Sequence, residues 1–136
     1  MQQKTAIVIG AGIVGLATAR ALSEKGFAVK VFERNPKASG ASVRNFGMVW
    51  PIGQPAGTLY KRAMRSREIW KQVAEGSGIW YEETGSLHLA YYTEEWQVLQ
   101  ELYAVFKSEG RNVLLLDRNQ VSTQYDHVNS NNLLGG

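Results

Sequence analysis

An α/β fold organised around parallel strands is predicted for this 136-residue chain, on three observations. Thr5-Ala6-Ile7-Val8-Ile9 is an apolar, largely β-branched run, the composition of a strand buried on both faces. Glycines follow at positions 10, 12 and 15, the spacing of a tight turn from strand into helix. A second β-favouring run, Ala28 to Phe32, closes the unit and ends at Glu33, eighteen residues beyond Gly15.

Taken in order, each element has its own local signal. Gly10 permits the tight turn, Gly12 lets the backbone approach a ligand, and Gly15 lets the helix lie close to the strand. The helix carries Leu16, Ala19, Ala21 and Leu22 as apolar positions, and Gly26 stands where a left-handed C-terminal cap belongs. Residues 34–57 hold Pro36, Gly40, Gly47, Pro51, Gly53, Pro55 and Gly57 and read as a long loop, which in a compact domain is usually functional. A helix is predicted from Thr58 to about Ala74, with Leu59, Ala63, Ser66, Trp70 and Val73 as its stripe and Gly76 and Gly78 as its end. Thr84 to Tyr92 alternates as a strand does. Thr93 is read as an N-cap, with Glu94 and Glu95 in the first turn of a helix whose stripe is Trp96, Leu99, Tyr103 and Phe106 and whose stop is Gly110. Val113 to Leu116 reads as a short strand, and Asp117 with Gln120 has the spacing of a capping box. The tail from Asn129 to Gly136 shows no periodicity.

The first strand, helix and second strand together make a Rossmann-like unit. Its helix N-terminus points free N–H groups at a diphosphate, and Glu33 reaches the ribose hydroxyls. Such a sheet needs at least a third parallel strand, so the unit is expected to be unfinished within these residues. An unpaired sheet edge also leaves the chain open to self-association as a homo-oligomer.

Charge and composition remove other classes. The net charge of +3 comes from scattered residues, and the densest run, Lys61, Arg62, Arg65, Arg67 and Lys71, lies on a predicted helix without interleaved stacking aromatics. It reads as a solvated helix face, and no nucleic-acid partner is expected. With no cysteine there is no disulfide framework and no thiol ligand or nucleophile, which is compatible with a reducing cytoplasm, the expected location. The stretch from Lys4 to Ala17-Thr18-Ala19 imitates a secretory signal, but the glycines interrupt it and Arg20 closes it. It is too short to span a membrane. His88 and His127 lack ligand-spaced partners, so no metal site is expected. His88 is read as half-buried strand packing, and Trp50, Trp70, Trp80 and Trp96 as core or interdomain packing.

Ile7-Val8-Ile9-Gly10-Ala11-Gly12-Ile13-Val14-Gly15-Leu16-Ala17, then Val31-Phe32-Glu33-Arg34, then Gly40-Ala41-Ser42-Val43-Arg44-Asn45-Phe46-Gly47-Met48, resembles the D-amino-acid oxidase/glycine oxidase family of flavin-dependent amine oxidoreductases. Thr84-Gly85-Ser86-Leu87 and Leu115-Leu116-Asp117 recur in that family at about these distances, so the resemblance covers the whole chain. The run from Ala41 to Pro55 looks most like a bacterial branch associated with aminophosphonate catabolism. The resemblance implies a two-domain flavoenzyme of which this chain is the N-terminal third. Residues 1–78 would form the FAD-binding portion with its flavin-contacting loop and following helix, and residues 79–136 the beginning of a substrate-binding domain. The implied reaction is oxidation of a small amine, an amino acid or aminophosphonate, by hydride transfer to FAD, with these residues inactive by themselves. The alternatives are an NAD-dependent dehydrogenase or reductase and a non-catalytic nucleotide-binding module.

The expected cofactor contacts follow residue by residue. Gly10, Gly12 and Gly15 form the cradle, and the N–H groups of Ile13 and Val14 face the pyrophosphate. Glu33 accepts from the adenosine ribose, and its charge repels a 2′-phosphate, which disfavours NADP. The resemblance puts Arg34 near the adenine, against its plain reading as a solvated charge. It runs the loop Ser42, Arg44, Asn45, Phe46, Gly47 and Met48 beside the pyrophosphate and the isoalloxazine. There Ser42 would donate to a phosphate oxygen and Gly47 would admit the flavin. Arg44 has two readings, positive charge beside the reduced ring or pairing with a structural carboxylate. No histidine or cysteine lies between Asn35 and Pro51, where some relatives attach flavin covalently, so the FAD is expected to be non-covalent. No catalytic residue is assigned within the chain.

Overall fold

The computed structural model describes residues 3–37 and 39–136. They fall into two compact units, Met1–Trp50 and Pro51–Gly136.

The first unit is the predicted strand–helix–strand. β1 (Thr5–Ile9) pairs in parallel with β2 (Ala28–Phe32), from Thr5 opposite Ala28 to Ile9 opposite Phe32, and α1 (Ile13–Glu24) connects them. Bonds from Ala28 N to Lys4 O at 2.8 Å and from Gly10 N to Phe32 O at 2.7 Å continue the ladder past both ends. Gly26, at φ +82°, turns the chain out of α1 in the left-handed conformation foreseen for it. Val8 is buried at 8 % exposure on the face where α1 packs, whereas Ile9 at 88 % and Phe32 at 57 % stand on the other face. A parallel sheet normally has both faces covered; in this unit α1 covers one. Residues 34–57 contain, among those described, one 3-10 turn, Ala41–Val43, and otherwise no helix or strand.

The second unit holds α2 (Thr58–Ser77), α3 (Thr93–Ser108) and α4 (Arg118–Gln124). α2 runs through Gly76 and is closed by Gly78 at φ +72°, three residues beyond the predicted end. Its inward face also differs from the expected stripe. Ala63, Trp70 and Val73 of the expected stripe are half-buried and Leu59 and Ser66 are exposed, while Tyr60, Met64, Arg67, Ile69, Lys71 and Ala74 are also buried or half-buried. The charged heads of Arg67 and Lys71 on this helix reach Glu68 and Glu83. In α3 the stripe Trp96, Leu99, Tyr103 and Phe106 is half-buried as predicted. Thr93 is the first helical residue and Tyr92 the N-cap, and Glu95 reaches back to accept from the N–H groups of Tyr91 and Tyr92. Asp117 and Gln120 form the capping box of α4, with both bonds at 2.9 Å.

The strands expected at 84–92 and 113–116 are extended segments, not ladders. Each pairs at a single residue with the tail, Ala90 with Gly135 and Asp117 with Gly135, both antiparallel. The alternation itself was sound. Leu87, Leu89 and Tyr91 pack toward the core of Leu116, Val121 and Leu133, joined by Tyr125 and Val128. Among the described residues the backbone that meets them is Leu133 to Gly136, at these single bridges. The same alternation turns His88 outward, so it is exposed and not half-buried. Of the two readings given for the tryptophans, core packing does not hold for Trp80, at 82 % exposure, or Trp50, at 47 %. The tail, without periodicity of its own, is the centre of this unit. Leu134 N donates to Ala90 O and Ala90 N to Gly135 O, both at 2.9 Å; Leu116 N donates to Gly136 O at 2.8 Å and Gly136 N to Leu116 O at 3.0 Å. Gly135 has to be glycine there, because a Cβ would lie 2.5 Å from both Leu116 O and the Trp96 ring.

Candidate functional site

The turn between β1 and α1 rests on one positive-φ glycine and two close approaches that begin at glycines. Gly10 takes φ +97°, a conformation that L side chains rarely adopt. A Cβ on Gly15 would run into the carbonyl of Gly10 and sit 3.5 Å from Val8 Cγ1, so only a bare Cα lets α1 start this close to β1. A Cβ on Gly12 would lie 3.3 Å from Ser42 Oγ, so Gly12 makes room for the loop that returns over the turn.

That return changes the expected arrangement of donors. The Ile13 N–H donates to Ser42 Oγ at 2.9 Å, so it is already partnered by a residue 29 positions away. The serine keeps its own hydroxyl proton to donate onward. Val14 and Gly15 lie in the first turn of α1, where a helix offers their N–H groups no acceptor of its own. The helix mouth therefore presents two backbone N–H groups and one serine hydroxyl, at the end where the helix dipole favours an anion.

Glu33 comes to the same turn. Its Oε2 accepts from Ala11 N at 2.8 Å and its Oε1 from Asn35 N at 3.0 Å. These bonds, Asn35 first and Ala11 second, hold its carboxyl below the ordinary value of 4.5 although the side chain is exposed. A depressed folded-state value means that the ionised carboxylate supports the turn fully above pH 4.5 and loses that support as the pH falls through the lowered value. An ionised carboxylate is acceptor-only. Each oxygen, with one backbone donor already in place, has a lone pair left for a hydroxyl, and a ribose diol supplies two such donors.

The remaining residues of the predicted site lie on the loop. Arg34 is exposed next to Glu33. Arg44 ends the 3-10 turn with its N–H on Ala41 O at 3.1 Å. Asn45 Oδ1 accepts from Phe46 N at 2.7 Å. Phe46 and Met48 are exposed, and Gly47 between them takes φ +71°. The structure thus brings Gly10, Gly12, Ile13, Val14, Gly15, Glu33 and Ser42 together at one turn, whereas Phe46 and Met48 stand open. The Ile13–Ser42 bond escapes sequence reading because nothing local marks a serine as the acceptor for an amide so far away. Among the described residues no group of three or more His, Cys, Asp or Glu is arranged to hold a metal ion, and no helix is long and apolar enough to cross a membrane.

Known proteins share this arrangement of sequence and fold. The family model described as "FAD dependent oxidoreductase" matches residues 5–136. D-amino-acid oxidase of Streptomyces coelicolor is 33 % identical over 73 residues, which cover 53 % of this chain and 23 % of the relative. A tRNA 5-methylaminomethyl-2-thiouridine biosynthesis bifunctional protein of Stutzerimonas stutzeri is 30 % identical over 112 residues, covering 82 % and 15 %. Among solved structures, glycine oxidase from Bacillus cereus superposes with a TM-score of 0.79 at 26 % identity, over 98 % of this chain and 37 % of its own. L-proline dehydrogenase from P. horikoshii does so with a TM-score of 0.80 at 25 % identity, over 99 % and 36 %. The chain spans about a quarter or less of these curated relatives and little more than a third of these solved ones. With the family model matched from β1 to the last residue, the chain belongs to the FAD-dependent oxidoreductase (DAO) family.

Proposed function

We propose that this chain is the adenine-dinucleotide-holding part of an enzyme that oxidises a small amine, an amino acid or an aminophosphonate, with non-covalent FAD. The observation that carries this reading is the glycine turn with Glu33 drawn into it. The cradle has no room for a Cβ at Gly15 and only a tight fit at Gly12, the donors at the helix mouth suit a diphosphate, and a doubly anchored carboxylate suits a ribose diol. Those features fit the ADP half of FAD. In the proposed assignment Gly10, Gly12, Val14, Gly15 and the Ser42 hydroxyl hold the diphosphate, Ile13 holds Ser42, and Glu33 holds the ribose. Arg34 flanks the adenine side, and Arg44, Asn45, Phe46, Gly47 and Met48 face the ring system. The chemistry FAD supplies when bound is acceptance of a hydride from the carbon bearing the amine, which leaves an imine for water to hydrolyse. The chain's own task is to bind and orient.

The amine class draws support from the relatives' names, which include a D-amino-acid oxidase, a glycine oxidase and an L-proline dehydrogenase. The aminophosphonate branch rests on the Ala41–Pro55 run. The same proposal keeps residues 1–78 as cofactor portion and 79–136 as the start of the substrate-binding part, in a cytoplasmic enzyme open to self-association. Residues 1–136 alone are proposed to be inactive, since a substrate carboxylate or phosphonate needs an Arg or Lys clamp that no described residue is assigned to form.

The test is the full-length protein and its Glu33→Gln variant. The wild type is expected to carry bound flavin absorbance and to turn over an amino acid or aminophosphonate. In the variant a carboxamide NH2 must face either the Ala11 or the Asn35 N–H, donor against donor. FAD affinity is expected to fall roughly tenfold or more, the cost of a lost charge-assisted bond. Wild-type retention of FAD is expected to weaken as the pH falls below 4.5 through the lowered Glu33 value, and the variant to lack that acid limb. A wild type that stays colourless but enhances NADH fluorescence would refute the reading in favour of a nicotinamide enzyme.

A further inference from the structure

Among the described residues from Val31 to Met48, Asn35 is the one that is not exposed. Hydrogen bonds leave it in two directions. Its backbone N–H donates to Glu33 Oε1 at 3.0 Å, and its side-chain Nδ2 donates to Ser39 Oγ at 2.9 Å. Proline follows it at position 36, and the residue before a proline is held out of the helical range. Backbone and side chain of Asn35 are therefore both restrained, with the amide aimed at the Glu33 carboxylate.

The bonds on either side place this residue in a longer series. Upstream, Glu33 Oε2 accepts from Ala11 N at 2.8 Å. Downstream, Val43 N donates to Gly40 O at 3.3 Å, and Ser42 Oγ, inside that turn, accepts from Ile13 N at 2.9 Å. The stretch that begins at Glu33 and ends at Ser42 is thus tied to the glycine turn at both ends, on the amides of Ala11 and Ile13. The reading above gives those two ends separate duties, Glu33 at the ribose and Ser42 at the diphosphate. Between them, the Asn35 side chain spans to Ser39.

We propose that Asn35, held by Ser39, is a positioning residue for the nucleotide: it keeps the Glu33 carboxylate set for the ribose while Ser42 is delivered to the diphosphate. The inference rests on the FAD reading and adds to it two residues, Asn35 and Ser39, that the reading leaves without a task. The titration of Glu33 agrees with it. The Asn35 amide stands first among the bonds that lower the Glu33 carboxyl, ahead of the Ala11 amide; desolvation opposes them, and the amide and positive charge of Arg34 add the smallest share.

The experiment compares full-length wild type, Asn35→Ala, Ser39→Ala, the double variant, and Leu22→Ala, a control that loosens a half-buried position of α1. The dissociation constant for FAD is measured from neutral pH down through the acid limb. Each loop variant is expected to weaken FAD about three- to tenfold at neutral pH, the effect of one lost neutral hydrogen bond. Its acid limb is expected to begin at higher pH than in wild type. With the Asn35 amide loosened, the lowered Glu33 value rises back toward 4.5, so the carboxylate is protonated sooner on acidification. Because both residues serve one bond, the double variant is expected to be no worse than the worse single one. Leu22→Ala is expected to lower the melting temperature and leave the acid limb as in wild type. Losses that add in the double variant, or an acid limb shifted equally by Leu22→Ala, would overturn the proposal. A wild type that binds FAD while both loop variants match it defeats this inference alone. A wild type that holds no FAD defeats the parent reading as well.

Discussion

Gly15→Ala is expected to remove FAD retention and destabilise the first unit. Alanine is the better helix former by about 1 kcal/mol, so on propensity alone the change would stabilise α1. The new Cβ, however, would meet the carbonyl of Gly10, and the atoms it meets are backbone. Overpacking costs about 1–3 kcal/mol even where side chains can repack. Here the relief must come from lifting α1 off β1 or reopening the Gly10 turn, and either movement displaces the Val14 and Gly15 N–H groups. The net loss is expected to be about 2 kcal/mol, seen as a melting temperature lower by several degrees, with flavin lost on desalting. An alanine variant that keeps both its colour and its melting temperature would show that close approach of helix and strand is not what the site needs.

Leu133→Ala is expected to be the most damaging single truncation in the second unit. Leu133 is 1 % exposed and forms the cluster with Leu116 and Val121 on which Leu87, Leu89 and Tyr91 pack. Truncation of a buried leucine costs about 2–5 kcal/mol, the spread reflecting how far the site can collapse. Little collapse is open to this one. Leu134 and Gly136 on either side of Gly135 are bonded to Ala90 and Leu116, and Gly135 is pressed against Trp96. Equilibrium unfolding should show the loss, and hydrogen exchange should place it at the Ala90, Leu116, Leu134 and Gly136 amides. Leu134→Ala next door, partly exposed, is expected to change stability far less. Equal effects from the two would mean that the tail is not the centre of this core.

The opposite legibility of these two sites follows from distance along the chain. The Gly10–Gly15 turn is written in six consecutive residues: Gly10 takes a positive φ and a Cβ on Gly15 would strike the Gly10 carbonyl, whereas the neighbour of Gly12 is Ser42, thirty residues on. Caps are equally local: Gly26, Gly110 and the Asp117–Gln120 pair act on backbone a few residues away, and all were readable. The stripe of α3 was readable because period 3.6 is a property of the helix alone. That of α2 was readable in part: Ala63, Trp70 and Val73 are half-buried as expected, and Leu59 and Ser66 are exposed. The strands at 84–92 and 113–116 failed differently. Leu87, Leu89 and Tyr91 do pack on the core, but His88, read as half-buried, is exposed, and the backbone these segments meet is residues 133–136, whose sequence shows no period.

By itself, the order of residues determined the strand–helix–strand, the glycine corner and the delivery of a carboxylate to it, since each depends on sterics and hydrogen bonds between near neighbours. Only tertiary structure decided that Ser42 partners Ile13, that Leu133 and Gly135 form a core, and that Arg111 grips Ile52 and Gln54 from 59 and 57 residues away. Those contacts close long loops, and the entropy of closure is repaid by burial gathered from many segments at once. No single stretch of sequence carries that sum.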